Sequence, residues 1–262
     1  MGLIIEAASG ESYESYVQNH IFAPLEMTHS YNSQPEAKHN GMAVGHRYWF
    51  AVPFATPNLP TPRGSLPTFL LISSSEDMAH YLIAHLNEGR YDNVRILSPE
   101  RIDELHRPAV EVKAIGFASG HYGMGWFIEQ TGQIKIVSHP DTLPDFFAYI
   151  AILPEQKKGV VLLVNANQMM MDLAQWELGA GVAKLLAGER PIPSRFGAII
   201  PWALRSLPLI PALQIVGVAA TLRRLGRWRQ EPSSRPSGGR KWGRYILLPL
   251  IPTCWFPCPF LA

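Results

Sequence analysis

The sequence predicts a mixed α/β fold of the α+β kind: an antiparallel sheet flanked by helices, incomplete at its N-terminal end and followed by transmembrane helices. Three observations carry this. Residues 122–129, 133–139, 146–153 and 159–165 are short runs rich in β-branched and aromatic residues, separated by Thr131-Gly132, by Pro140-Asp141 and by the turn that starts at Pro154. Stretches with helical spacing lie before and after that meander. Beyond about residue 197 come long apolar segments with a basic stretch between them.

The elements follow in order. Residues 2–8 read as the end of an apolar helix closed by Ser9-Gly10, so the chain opens inside an element and is expected to be a fragment. Ser12 opens a second helix whose stripe is Tyr16, Val17, His20 and Ile21, ending before Pro24. Residues 30–68 are polar, aromatic and Pro-rich without a period and read as a long surface excursion bordering a site. Ser74 and Asp77 have capping-box spacing, and Met78, Leu82 and Leu86 follow at helical intervals up to Asn87-Glu88-Gly89. Ser98-Pro99-Glu100 starts a short helix. In the meander, Ser138-His139 is expected at a strand end, with Leu143-Pro144-Asp145 making the next turn. Residues 169–186 return to helix, the Met169-Met170-Met171 run serving as packing at its start.

Composition narrows the function classes. With 47% hydrophobic and 17% charged residues, the 262-residue chain can bury a sizeable core. Its charge is uneven: fourteen Lys and Arg face twenty Asp and Glu up to Phe196, and nine face one thereafter. Both cysteines, Cys254 and Cys258, fall in the last ten residues, so no disulfide framework is expected in the soluble part. His106 and His121 lack partners at metal-ligand spacing, and no helix follows Gly123 and Gly125 as a phosphate loop requires, so neither metal nor cofactor is expected. The arginines of the tail sit between apolar segments, which reads against nucleic acid as a partner.

Four blocks in order, GLIIEAASGESYESYVQNHIFAPLEMTHS, ISSSEDMAHYL, YGMGWFI and SHPDTLPDFF, resemble the C-terminal portion of the serine β-lactamase and penicillin-binding-protein family, class C type. The resemblance spans about residues 1–190. It implies acyl-serine chemistry on D-alanyl peptides, β-lactams or esters, carried by three motifs: Ser-x-x-Lys, Tyr-x-Asn, and a strand-borne Lys-Thr-Gly or His-x-Gly. Only the third has a counterpart, at His139-Pro140-Asp141. His139 is then the catalytic-site residue of this chain, with Ser138, Asp141 and Thr142 as substrate-binding positions. The family places Gly where Asp141 stands, and again where Glu26 stands in Pro24-Leu25-Glu26-Met27. A carboxylate at position 141 would repel an anionic substrate, and a strand N–H beside it would serve the oxyanion hole. No Ser stands three residues before a Lys anywhere, so the chain contains no nucleophile of the family's type and is expected to be inactive as it stands. Tyr91-Asp92-Asn93 matches Tyr-x-Asn in letters but reads as a surface turn.

The domain plan is therefore a hydrolase-like portion over residues 1–190, a transmembrane helix over 197–222, a basic linker over 223–244 and a second, truncated transmembrane segment over 245–262. Arg223, Arg224, Arg227 and Arg229 directly follow the first apolar segment, which by the positive-inside rule puts the linker in the cytoplasm and the globular part outside the cell membrane. The expected partners are the membrane and a cell-wall peptide or small ester or amide substrate. Two alternatives stand beside the hydrolase: a non-catalytic membrane-bound binding or structural module of the same fold, and an unrelated membrane protein whose meander only mimics the family.

Overall fold

The computed structural model describes residues 2–56, 60–115, 118–191 and 195–230 and divides the chain into two compact units, Met1–Ile200 and Pro201–Ala262. In the first unit, α1 (Gly2–Ser9) ends at Gly10, whose φ of +76° is the left-handed turn a helix end favours. The Ser12 side chain caps α2 (Tyr13–Val17) through Ser15 N–H, and the chain then widens into a π-helical turn, Gln18–Phe22. That change of pitch moves the inward positions to Tyr13, Val17 and Phe22, leaving the expected stripe residue His20 exposed. Leu25 and Met27 complete this cluster, while Glu26 between them takes a left-handed φ of 55°. At that conformation a side chain is strained, which accounts for glycine in the resembling family.

Residues 30–68 are not a structureless excursion. They hold α3 (Gln34–His39), a tight hairpin of β1 (His46–Trp49) and β2 (Val52–Ala55), and α4 (Leu66–Phe69). Phe50 and Ala51, both at positive φ, form its two-residue turn. Next come α5 (Ser75–Leu86), capped by Ser74 on Asp77 N–H, the small hairpin β3 (Arg90–Tyr91) and β4 (Val94–Arg95), and α6 (Pro99–Leu105), capped by Ser98 on Arg101 N–H. Tyr91-Asp92-Asn93 is the turn region of that hairpin, with Asp92 left-handed.

The main sheet contains β5 (Val110–Ile115), β6 (Ala118–Tyr122), β7 (Phe127–Thr131), β8 (Ile134–Leu143), β9 (Phe146–Leu153) and β10 (Lys158–Val164), in the spatial order β10-β9-β8-β7-β6-β5. The Gly-rich run expected as one strand over 122–129 is instead broken: residues 123–126 turn between β6 and β7, and 127–129 begin β7. Gly123 forces it: a Cβ there would stand 2.7–2.8 Å from the Arg107 and Leu105 carbonyls at the end of α6. One face of the sheet packs Ile136, Phe147, Tyr149, Ala151 and Leu153 against Ala183 and Ala187, and the other packs Val137, Ile152, Ile128 and Trp126 against Leu82 of α5. A short strand, β11 (Ala166–Asn167), pairs in parallel with β1, and α7 (Asp172–Leu186) follows. Met169 is 80% exposed and Met170 half exposed in the turn ahead of α7, so the methionine run is not core packing.

Further on lie α8 (Arg195–Ser206) and α9 (Leu209–Gln230), separated at Leu207-Pro208. Ile199–Arg227 is one stretch of 29 residues long and apolar enough to cross a membrane, with none of its apolar window buried. Arg223, Arg224, Arg227 and Arg229 belong to α9, so the helix continues past the expected boundary at 222. The remainder of the basic linker and the second segment, 245–262, lie outside the described residues.

Candidate active site

His139, expected at a strand end, sits inside β8. Thr131↔Ile134 through Phe127↔Ser138 tie β8 to β7, and Val137↔Ile152 through Leu143↔Phe146 tie it to β9. Among the described residues, 139–143 therefore have a strand neighbour on one side only. Pro140 does not break the strand because its missing N–H falls on that unpaired side. The parity of the ladder says so: the two-residue turns Gly132-Gln133 and Pro144-Asp145 are closed by hydrogen-bonded pairs, so Ser138, Pro140 and Thr142 direct their backbone groups away from β9.

At this edge the His139 Nε2 lies 3.4 Å from the Tyr122 hydroxyl, and its ring stands 6.1 Å from that of Phe127. Tyr122, the last residue of β6, thus fills part of the place that β7 leaves. Burial pushes the His139 imidazole toward its neutral form, with the Asp141 carboxylate opposing. Burial in turn raises the Asp141 carboxyl, which the Thr142 N–H and His139 counteract. The Thr142 backbone N–H donates to Asp141 Oδ1 at 2.8 Å.

Strand alternation places His139 and Asp141 on one face and Ser138, Pro140 and Thr142 on the other. Ser138 is 3% exposed and hydrogen-bonds the Tyr149 side chain, whose hydroxyl burial pushes up to about 12. It belongs to the core rather than to the edge. The Thr142 side chain turns to Asp172 at the start of α7, where Asn167 Nδ2 also donates to Asp172 Oδ1 at 2.8 Å. Of the four sequence candidates, His139, Asp141 and the Thr142 main chain meet at the edge.

Several neighbours carry no local sequence signal. The Arg47 Nε and guanidinium Nη2 each lie 2.9 Å from Asp145 Oδ1, fixing β1 to the β8–β9 turn, with Asp145 only 1% exposed. Gly45 permits this approach, since a Cβ there would come within 2.7 Å of Phe146 and 2.9 Å of Asp145. Tyr122, Phe127 and Asp172 likewise join only in the fold. A second histidine site lies away from the edge: His85 Nδ1 and His106 Nε2 are 3.1 Å apart, both buried and both beside Trp126. Burial lowers their pKa values to about 3 and about 4. Among the described residues no group of three or more His, Cys, Asp or Glu side chains is placed to hold a metal ion.

The Beta-lactamase family model matches residues 1–184. Protein flp of Staphylococcus aureus is 30% identical over 170 residues, which cover 64% of this chain and 32% of that protein. Penicillin-binding protein 4 of Amycolatopsis lactamdurans is 24% identical over 191 residues, covering 70% of this chain and 50% of that one. Among solved structures, the octameric penicillin-binding protein homologue from Pyrococcus abyssi superposes with a TM-score of 0.62 at 29% identity, over 72% of this chain and 41% of that one. A class C beta-lactamase shares the fold with a TM-score of 0.57 at 17% identity, over 73% and 55% of the two chains. The chain spans about a third of the length of protein flp and half that of the penicillin-binding protein.

Proposed function

Since the chain belongs to the Beta-lactamase family, we propose that it forms one wall of an acyl-serine site of the β-lactamase and penicillin-binding-protein type, held at a cell membrane. The observation that carries this reading is the half-open strand β8, which presents His139, Asp141 and the Thr142 N–H at one edge. A neutral imidazole at His139 can hydrogen-bond a substrate without a fixed charge, and the Thr142 N–H, once released by the Asp141 carboxylate, is a strand donor for a developing oxyanion. Serine and lysine of the Ser-x-x-Lys motif would come from outside these 262 residues, and the substrate would be a D-alanyl peptide, a β-lactam or an ester. The span Ile199–Arg227, with Arg223, Arg224 and Arg227 at its far end and Arg229 just beyond, supports an anchor that leaves the globular part outside the cytoplasm.

A non-catalytic module of the same fold is the second reading, favoured by one observation: the edge donor, Thr142 N–H, is already taken by Asp141. Labelling with a fluorescent penicillin or a fluorophosphonate separates the two. The hydrolase reading expects no label on this chain and a labelled serine in a version extended upstream in frame through a Ser-x-x-Lys. No label on either form favours the module. Recovery of the chain in the soluble fraction after cell breakage would remove the anchor from both.

A further inference from the structure

The edge of β8 beyond Ser138 has an unusual balance of donors and acceptors. Of the backbone groups turned to the open side, the Ser138 pair is used by Phe127, Pro140 has no N–H, and Thr142 N–H is the remaining donor. That donor lies 2.8 Å from Asp141 Oδ1 and is therefore occupied by the chain itself. The side chain acting electrostatically on Asp141 is His139, which burial keeps neutral. The Arg47 guanidinium is directed to Asp145 instead. So, among the described residues, the edge offers a carboxylate bonded to its neighbouring backbone donor and with no salt bridge. A ligand that approached with a carboxylate or a carbonyl oxygen would meet an acceptor; one that approached with an ammonium would find a counter-charge and a hydrogen-bond acceptor together.

We propose that Asp141 makes the open edge of β8 a subsite for a primary ammonium group, such as that of an amino-acid amide or a peptide N-terminus, in preference to a carboxylate at that position. This rests on the reading of that edge as a ligand-binding wall. Asp141 determines specificity here and has no part in bond making. The test is the backbone resonance of Thr142 in full-length chain, selectively labelled with ¹⁵N-threonine and held in detergent micelles, with the peak assigned from Thr142→Ser. It is titrated with alaninamide, a cation, and with N-acetylalanine, an anion, at equal ionic strength. The expected result is a saturable shift with alaninamide alone, at least about tenfold tighter than any response to the anion, and its loss in Asp141→Asn. A response to N-acetylalanine in the parent chain within about tenfold of that to alaninamide, or ammonium binding that survives Asp141→Asn, overturns the proposal while leaving the edge a ligand wall. Silence of Thr142 toward both ligands in the parent chain and in Asp141→Gly refutes the subsite and the ligand-wall reading together. A response to N-acetylalanine confined to Asp141→Gly, with no response to alaninamide in the parent chain, overturns the subsite alone.

Discussion

The two halves of β8 differ in what flanks them. Residues 134–138 are paired with β7, and from Val137 with β9 as well; they carry Ile136 and Val137 at 2% and 0% exposure. Among the described residues, 139–143 are paired with β9 alone and carry a half-buried histidine, a half-buried carboxylate and an exposed threonine whose side chain bonds Asp172. One continuous strand thus spends its first half on the core and leaves one edge of its second half, among the described residues, without a strand neighbour. The difference arises from where β7 starts: Gly123 packs on the end of α6, the chain turns there, and β7 begins too late to cover residue 139. The two histidine sites repeat the contrast. His85 and His106 are closed in by each other and by Trp126, whereas His139 has a tyrosine hydroxyl and the open edge beside it.

The contrast is sharpest in stability. Ile136→Ala in the paired half should cost about 2–4 kcal/mol, read as a lower denaturant midpoint of the full chain in detergent, against less than about 1 kcal/mol for His139→Ala. Equal losses would mean that the second half is core as well. Asp145→Asn, which removes the partner of half-exposed Arg47, should cost about 2 kcal/mol and speed amide exchange in the β1–β2 hairpin before the sheet opens. Acid should act through the closed histidine pair. Their folded pKa values of about 3 and about 4 lie below the unfolded value near 6.5, so the unfolded chain binds more protons between these limits. Stability is therefore full above about pH 6.5 and falls below it by up to about 3 kcal/mol per pH unit for the two histidines together, and His106→Gln should roughly halve that slope. The smallest effect is at Glu26, where glycine relieves a left-handed conformation: Glu26→Gly should change stability by no more than about 1 kcal/mol, on the stabilising side.

Much of this was legible in the sequence because it is local. The serine caps at positions 12, 74 and 98 and the hairpin at Thr131-Gly132 are decided within a few residues and stand as read. Long-range placement was not legible. The aromatic, Pro-containing stretch over 46–55 becomes strand because β1 pairs with Asn167, more than a hundred residues away, and Arg47 finds Asp145 across a similar separation. Pro140 reads as a turn residue, and only the ladder parity reveals that its missing donor costs nothing. Within the candidate site, His139 and Asp141 were marked by the block around them. Ser138 was marked with them, but strand alternation sends its side chain to the opposite face.

The most direct measurement is amide hydrogen exchange along β8, by NMR, in the parent chain and in Asp141→Gly. The expected result is that Val137 exchanges only with opening of the sheet, that Thr142 exchanges at least about a hundredfold faster, and that it exchanges faster again once the Asp141 carboxylate is gone. Protection of Thr142 equal to that of Val137 in both proteins would contradict this: the second half of β8 would be covered, with no edge left for a ligand.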